Sequence, residues 1–350
     1  VSKLLPKIHH IFDLLIIDEA SQMLPEMAIA GMVRSKELIV VGDGMQMPPS
    51  NIFKAELDYD EEDAPEISAE SILDLASKRI GNSVSLNWHY RSQHPSLINF
   101  SNFNFYKNRL EVFPSPHDKD ENFGVQLIEA NGIYEGGGIN PKERDEVLKQ
   151  FTRCVENFPD ETIGIVAMNV KQKDLIQEAI EQLADIDPKV REYIDHWEND
   201  PLGLVFIKNL ANVQGDERDI IIISTVYGRD ENGNMFQRFP AINQSVGHRY
   251  LNVLFTRAKR QLILVTSMKP ADIKITENSS RGVKALKDYL EYAKTGKLEV
   301  GNELRGEPDN DFEVSVGDFL KQSGLEVVYQ VGVRGFKIDL GIKHKDYPYG

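Results

Sequence analysis

A short apolar run that ends in two carboxylates is the feature that most constrains the fold of this chain. Leu14 to Ile17 are all aliphatic, and Asp18 and Glu19 follow at once. A run of this kind predicts a strand buried in a parallel sheet. Side chains directly after such a strand lie in the crevice where doubly wound sheets bind ligands. The alternative is an ordinary strand end whose carboxylates are solvated.

Two neighbouring strand ends would together suit the hydrolysis of a nucleoside triphosphate. Asp18 would hold Mg²⁺ through its water shell, and Glu19 would orient or deprotonate the attacking water. A second apolar strand, Glu37–Val41, runs into the loop Gly42–Pro49, which we expect at the same sheet edge. Gln46 in this loop can hydrogen-bond both a γ-phosphate and the catalytic water. Its alternative role is that of a surface glutamine in a Gly/Pro loop.

Tyr90 and Arg91 lie where a first α/β unit is predicted to cross into a second. A tyrosine can stack on a purine, and an arginine beside it can reach a γ-phosphate. Alternatively, Tyr90 packs at an interdomain seam and Arg91 forms an ordinary ion pair.

Two later segments add further candidates. Glu217 precedes the apolar strand Ile220–Thr225 and could accept hydrogen bonds from a ribose hydroxyl, although by itself a charged turn is the better interpretation. Arg257 lies near the end of a predicted helix, Arg249–Lys259, and would act as an arginine finger when a β–γ phosphate bond breaks. The alternative is that Arg257 and Lys259 only complement the helix dipole.

The alternation of apolar runs with helical patterns predicts an α/β fold built on parallel sheets. We predict strands at 14–17, 37–41, 83–86, 162–167, 202–207, 220–225 and 261–266, and helices at 23–34, 71–79, 143–157, 170–184, 249–259 and 281–294. The predicted domains are a partial α/β unit at 1–85, a second α/β unit at 86–270, a helical connector at 271–310 and a short αββ piece at 311–350. Phe103, Phe105 and Tyr106 are predicted to pack in the core.

Composition narrows the classes of protein further. The net charge of −15 argues against a basic surface along the whole chain, but it leaves room for a local basic groove. The single cysteine, Cys154, excludes an internal disulfide and a zinc cluster. No apolar run approaches the ~18 residues of a membrane span and no signal peptide is recognised, so we predict no membrane partner and a cytoplasmic location. The acidic run Glu56–Glu70 is interpreted as a solvated loop rather than a partner-binding tail.

Five motifs occur in a fixed order along the chain. They are Asp-Glu-Ala-Ser-Gln from Asp18, Gly-Asp-x-x-Gln-x-Pro-Pro from Gly42, Tyr-Arg-Ser-x-His-Pro from Tyr90, Gln-Gly-Asp-Glu-Arg-Asp from Gln214 and Leu-Asn-Val-x-x-Thr-Arg-Ala from Leu251. As a series they resemble motifs II to VI of the superfamily 1 helicases, over residues 12–268. The resemblance implies two RecA-like domains, with ATP and Mg²⁺ in the cleft between them and single-stranded nucleic acid across the top.

The same resemblance implies roles for individual side chains. The resemblance implies that Asp18 binds Mg²⁺ and that Glu19 acts in catalysis. It implies that the γ-phosphate is contacted by Gln46, Arg91 and Arg257. It also implies that Tyr90 stacks on adenine and that Glu217 contacts the ribose. One departure is clear, because the chain has no Gly-Lys-Ser/Thr phosphate loop. Thr295-Gly296-Lys297 is the nearest string, and we interpret its glycine as the end of a helix. We therefore expect the phosphate loop upstream of Val1 in a longer protein, and no ATP hydrolysis by this chain alone.

The C-terminal segment carries a second resemblance. Asp311-Phe-Glu313 on a helix, followed by Gln330 to Leu340 with Gly335 and Asp339, resembles the very-short-patch-repair-like endonucleases of the PD-(D/E)xK group. The resemblance implies Mg²⁺ binding by Asp339 with help from Glu313. Because the Glu-x-Lys strand of that group is not in this sequence, we predict no nuclease activity. The alternative is an ordinary αββ appendage with surface acids.

The sequence is compatible with three functions. The first is an ATP-dependent translocase on single-stranded or duplex nucleic acid, with DNA favoured over RNA by the nuclease-like tail. The second is a non-catalytic nucleic-acid-binding scaffold that kept a RecA-like fold, and the third is a nuclease whose motor-like part positions the substrate. Candidate contacts with a nucleic-acid strand are Asn209, Asn212 and the aromatic segment Trp88–Tyr90, since stacking tolerates any base.

Overall fold

The computed structural model describes residues 11–49, 69–117, 120–298, 311–331 and 338–343. Within these ranges, helices α1 to α9 span Pro25–Met32, Ile72–Arg79, Ser96–Asn104, Pro141–Asn157, Val170–Ile186, Pro188–Trp197, Gly247–Phe255, Arg281–Thr295 and Asp311–Gln322. Strands β1 to β11 span Phe12–Ile17, Ser35–Val40, Trp88–His89, Glu111–Val112, Gly124–Glu129, Ile163–Ala167, Phe206–Asn209, Arg218–Ser224, Ala258–Thr266, Glu326–Val331 and Ile338–Lys343. The alternation of strands and helices confirms the predicted α/β class.

A parallel sheet of strand order β5-β9-β8-β6-β7 forms the centre of the larger unit. Its middle strand β8 is apolar along both faces because helices cover both sides. Ile221 and Ile223 belong to a core with α3, α7 and α8, whereas Ile220 and Ile222 belong to a core with α4, α5 and α6. This three-layer arrangement is the RecA-like architecture that we expected, and it brings the starts of β8 and β9 to one edge of the sheet.

The smaller unit is built on β1 and β2, which pair in parallel with Ile17 opposite Val40. The predicted burial of Leu14–Ile17 is only half right. Ile17 is buried with side chains of α1 and α2, but Leu14 and Ile16 are 42% and 59% exposed. Successive strand residues point to opposite faces, and within the described residues only one face of this pair is covered.

Several predicted boundaries are wrong in the structure. Residues 83–86 form no strand, and the strand in this region is β3 instead. The strand expected at 202–207 begins at Phe206, and the helix expected at 249–259 is α7, which ends at Phe255. Because Arg218 donates to the carbonyl of Leu204, the chain before β7 is held as a turn. Helices α3 and α6 and strand β5 were not predicted.

A buried carboxylate ties together the carboxyl ends of β8 and β9. Glu143, in the first turn of α4, is fully buried and accepts hydrogen bonds from the backbone N–H groups of Val226 and Ser267, both at 2.7 Å. The hydroxyls of Ser224 and Thr225 donate to the same carboxylate at 2.8 and 3.2 Å. These contacts hold Val226 in a left-handed conformation that is rare for a β-branched residue.

The C-terminal piece has the expected αββ order. Helix α9 packs against the antiparallel pair β10 and β11. Gly296 adopts a left-handed conformation at the end of α8, which confirms its role as a helix-ending glycine. The predicted hairpin turn at 332–335 and residues 56–68 of the acidic run Glu56–Glu70 lie outside the described residues. Among the described residues, no helix is both long and apolar enough to cross a membrane.

Candidate functional site

The two acids of the first motif lie where β1 ends. Glu19 adopts a left-handed backbone conformation with φ 49°, and its N–H donates to Oδ1 of Asp18 at 2.8 Å. Both acids are exposed. Left-handed conformations of residues other than glycine are uncommon and cluster at functional sites, where the surroundings hold the strain. The turn therefore presents both carboxylates at the carboxyl edge of the β1–β2 pair.

The loop that follows β2 packs against this turn. A Cβ atom at Gly42 would lie 3.1 Å from the backbone nitrogens of Ala20 and Ser21, so the close approach of the two loops favours glycine. Asp43 shapes the loop by accepting a hydrogen bond from the Met45 N–H at 2.8 Å. It also accepts one from the Gln46 side chain at 3.3 Å. The predicted placement of this loop beside Asp18 and Glu19 is confirmed.

Gln214 connects both of these loops to the larger unit. Its side-chain amide donates to Glu19 Oε2 at 3.2 Å and to Gln46 Oε1 at 3.3 Å, while its carbonyl oxygen accepts from the Met47 N–H at 3.1 Å. Gln214 begins the fourth sequence motif, but the functional role was predicted for Glu217 of that motif instead. The neighbouring Gly215, which has φ +87°, was the local signal that the chain turns tightly here.

Glu217 lies at the centre of a cluster of cations. Its carboxylate accepts from Arg91 Nε at 2.6 Å and from Lys259 Nζ at 3.2 Å. Burial raises the pKa of Glu217, but Arg91 and Lys259 outweigh it and hold that pKa below its ordinary value. Arg91 therefore forms an ion pair, which was the alternative to its γ-phosphate role. Its partner is Glu217, the residue expected to contact the ribose.

Arg257 lies between α7 and β9, just beyond the end of the helix. Only 4% of the residue is exposed, and its Nε donates to the Val253 carbonyl at 2.9 Å. Burial, followed by the nearby charge of Arg91, lowers the pKa of Arg257 to about 10. The contact with Val253 agrees with the helix-end alternative for Arg257. For Lys259 that alternative is wrong, because Lys259 belongs to β9 and pairs with Glu217.

Tyr90 is 93% exposed and Trp88 is 62% exposed, so both rings face solvent. Trp88 lies beside Phe113 with a centroid separation of 5.2 Å. The packing prediction for the following aromatics is confirmed for Phe105, which is buried. Tyr106 is partly buried against the same core, as predicted, and its hydroxyl also donates to Oδ2 of Asp43 at 2.7 Å.

The second proposed metal pair lies in the αββ piece. Glu313 on α9 is only 6% exposed, whereas Asp339 on β11 is exposed. Within the described ranges, no group of three or more acidic, histidine or cysteine side chains is arranged to hold a metal ion. The Mg²⁺ roles of Asp339 and Glu313 stay predictions.

Comparison with known protein families identifies the family to which this chain belongs. The model of a family described as an AAA domain matches residues 69–269, which is more than half of the chain. The chain belongs to this AAA domain family. The matched range of the AAA domain contains Arg91, Gln214, Glu217 and Arg257, and so includes the larger unit's whole contribution to the site.

Relatives of this AAA domain chain include proteins named as ATP-dependent helicases. The uncharacterized ATP-dependent helicase MG140 homolog of Mycoplasma pneumoniae is 32% identical, over 86% of this chain and 27% of the relative. The helicase MG140 of Mycoplasma genitalium is 30% identical, over 91% of this chain and 29% of the relative. Regulator of nonsense transcripts 1 of Dictyostelium discoideum is 26% identical, over 74% of this chain and 19% of the relative. The relatives support the resemblance to superfamily 1 helicases, and the chain spans less than a third of their lengths.

Proposed function

We propose that this chain supplies most of the ATP-hydrolysing site of an ATP-dependent helicase or translocase that acts on nucleic acid. The observation that carries the proposal is the meeting of Glu19 and Gln46 from the smaller unit with Gln214 from the larger one. Arg91, Glu217 and Arg257 belong to the same neighbourhood, since both Glu217 and Glu19 affect the pKa of Arg257. A site of this composition suits phosphoryl transfer to water.

Each group has a distinct chemical task in this proposal. Asp18 is an exposed carboxylate at a strand end, and hard oxygen ligands of this kind suit Mg²⁺, which would neutralise phosphate charge when bound. Glu19 orients and deprotonates the attacking water. Gln46 contacts the γ-phosphate and the attacking water. To do so, the Gln46 side chain must give up its hydrogen bond with Gln214.

The cations of the larger unit act on the developing phosphate charge. Arg257 is already desolvated, so its electrostatic effect on a nearby phosphate is stronger than it would be in water. Arg91 reaches the γ-phosphate once its ion pair with Glu217 opens, which frees Glu217 to accept from a ribose hydroxyl. Tyr90, with its exposed ring, stacks on adenine.

The substrate strand is the finer part of the proposal. We propose that the strand is DNA rather than RNA, because the αββ piece resembles DNA endonucleases. We also propose that the strand is contacted by the exposed ring of Trp88 and by Asn212. We also propose that the chain alone does not hydrolyse ATP, since its sequence contains no phosphate loop with the Gly-Lys-Ser/Thr pattern.

Steady-state ATP hydrolysis tests this proposal in two proteins, namely this chain and the longest natural protein that contains it. Each is assayed alone, with single-stranded DNA and with single-stranded RNA. We expect hydrolysis only in the longer protein, greater stimulation by DNA than by RNA, and at least a hundredfold loss in Glu19→Gln. Glu26→Gln, which changes an exposed carboxylate on α1, is the control and leaves the rate unchanged.

The possible results separate the parts of the proposal. No hydrolysis in the longer protein would favour the scaffold function. Hydrolysis by the short chain would place a phosphate-binding loop elsewhere in this sequence. Stimulation by RNA alone would overturn the choice of DNA while leaving the motor function intact.

A further inference from the structure

A chain of three hydrogen-bonded side chains joins the loop after β2 to helix α7. The Tyr106 hydroxyl donates to Asp43 Oδ2 at 2.7 Å and accepts from Asn252 Nδ2 at 2.8 Å. Asn252 Nδ2 also donates to the carbonyl of Met45 at 2.9 Å. We call Asp43, Tyr106 and Asn252 the tyrosine bridge. It spans three separate parts of the sequence, with Tyr106 in the middle.

The bridge is enclosed and has a fixed direction. Asn252 is 1% exposed, and Tyr106 is partly buried against the main core. Burial, followed by the charge of Asp43, raises the pKa of Tyr106 well above its ordinary value, so the hydroxyl keeps its proton. The proton of Tyr106 is therefore directed at the Asp43 carboxylate, and the amide of Asn252 is directed at Tyr106.

Each end of the bridge lies next to a group with a proposed role at the γ-phosphate. Asp43 accepts from the side chain of Gln46 at 3.3 Å. Asn252 precedes Val253, whose carbonyl accepts from Arg257 Nε. The bridge thus holds the backbone that carries Gln46 at a set distance from the backbone that carries Arg257.

We propose that Tyr106 is a positioning residue which, through its hydroxyl, keeps Gln46 and Arg257 at a set distance from each other. This inference rests on the proposed ATP-hydrolysing function. Tyr106 itself touches no reacting atom and acts through Asp43 and Asn252. Small displacements of such groups change rates strongly, because catalysis depends on their alignment with the transition state.

The substitution Tyr106→Phe tests this inference, since it removes the hydroxyl and keeps the ring. Tyr193→Phe is the matched control, because the Tyr193 hydroxyl donates to the carbonyl of Glu161 at 2.6 Å and lies in the core on the other face of the sheet. In the longer natural protein, we expect Tyr106→Phe to lower kcat for ATP hydrolysis about tenfold while KM for ATP stays within about twofold. Tyr193→Phe leaves both constants unchanged.

A second variant and a second readout separate positioning from folding. We expect Asn252→Ala to lower kcat similarly, and the double variant with Tyr106→Phe to be no slower than the slower single variant, because both break one bridge. Hydrogen exchange of the Gly42–Met47 amides, measured on this chain without nucleotide, becomes about tenfold faster in Tyr106→Phe and not in Tyr193→Phe.

Each result decides a different claim. Unchanged exchange at Gly42–Met47 in Tyr106→Phe would overturn the bridge itself. Faster exchange with an unchanged kcat would overturn the positioning role and leave the proposed function standing. If the wild-type longer protein hydrolyses no ATP, the proposed function fails and this role fails with it, whatever the exchange rates show.

Discussion

The side-chain amide of Gln214 donates to the carboxylate of Glu19 at 3.2 Å, although 195 positions separate the two residues in the sequence. Gln22 donates to the same carboxylate oxygen at 3.4 Å. In this arrangement the carboxylate that we propose as the catalytic base is held by amides from both units. The contact makes the position of Glu19 dependent on how the larger unit is placed.

The first prediction concerns this amide. Gln214→Ala removes three hydrogen bonds that tie Glu19, Gln46 and Met47 to the larger unit. We expect kcat for ATP hydrolysis by the longer natural protein to fall about tenfold, and the free energy of unfolding of this chain to fall by about 1 kcal/mol. Gln244→Ala, at an exposed glutamine, is the control, and a rate for Gln214→Ala equal to that of the control would contradict the prediction.

The second prediction concerns the proposed arginine finger. Arg257→Lys keeps the charge but loses the planar guanidinium and its contact with Val253. We expect kcat to fall at least a hundredfold, because an arginine finger is worth about 10³–10⁵ in rate, while the affinity for a non-hydrolysable ATP analogue changes only a few-fold. Arg238→Lys, at an exposed arginine, serves for comparison. Equal losses of rate and affinity would instead mean that Arg257 only binds the nucleotide.

The third prediction concerns the packing of α8 on α7. A Cβ atom at Gly282 would overlap the carbonyl oxygen of Ile242 and lie 3.0 Å from the backbone of Gly247. We expect Gly282→Ala to lower the free energy of unfolding by about 1–3 kcal/mol, as overpacking does in other cores. Gly137→Ala is the control, because a Cβ there meets nothing within 4 Å. Urea unfolding measures both, and equal midpoints would show that α8 adjusts freely.

The fourth prediction is a pH dependence that arises from Glu143. Burial raises the pKa of this carboxyl to about 7, although the hydrogen bonds from Ser224, Val226 and Ser267 lower it. Between its ordinary pKa of 4.5 and pH 7, the folded chain keeps a proton that the unfolded chain has released. The unfolded state then binds fewer protons, so this group makes the free energy of unfolding fall as pH rises, by roughly 3 kcal/mol in total.

Glu143→Gln isolates this contribution, because glutamine cannot titrate. We expect the difference in unfolding free energy between wild type and Glu143→Gln to decrease from pH 4.5 to pH 7 and to be level above that. Glu178→Gln, at an exposed position on α5, shows no such trend. A difference that stays constant across this range would mean that the carboxylate is ionised throughout.

Much of the candidate site followed from strand order and residue type. Asp18, Glu19 and Gln46 were expected together because loops at the carboxyl ends of neighbouring parallel strands share an edge, and β1 and β2 do pair in this way. The αββ order of the C-terminal piece also followed from its apolar pattern. The predicted domain limits and the individual site roles stay predictions.

Other parts had no local signal. The helix expected to reach Lys259 ends at Phe255, because Ala258 starts the strand that pairs with β8 and β5. Exposure of Leu14 and Ile16 could not be foreseen either, since an apolar run indicates a strand but not which of its faces is covered.

The sequence by itself determined the α/β class, the parallel strands and the set of polar side chains that follow or precede them, because these depend on patterns within a few residues of each other. Only the tertiary structure decided that Arg91 pairs with Glu217, that Gln214 contacts Glu19, and that Tyr106 lies between Asp43 and Asn252. Contacts of this kind depend on how helices and loops pack around the sheets, and no local pattern records distances between residues so far apart in the chain.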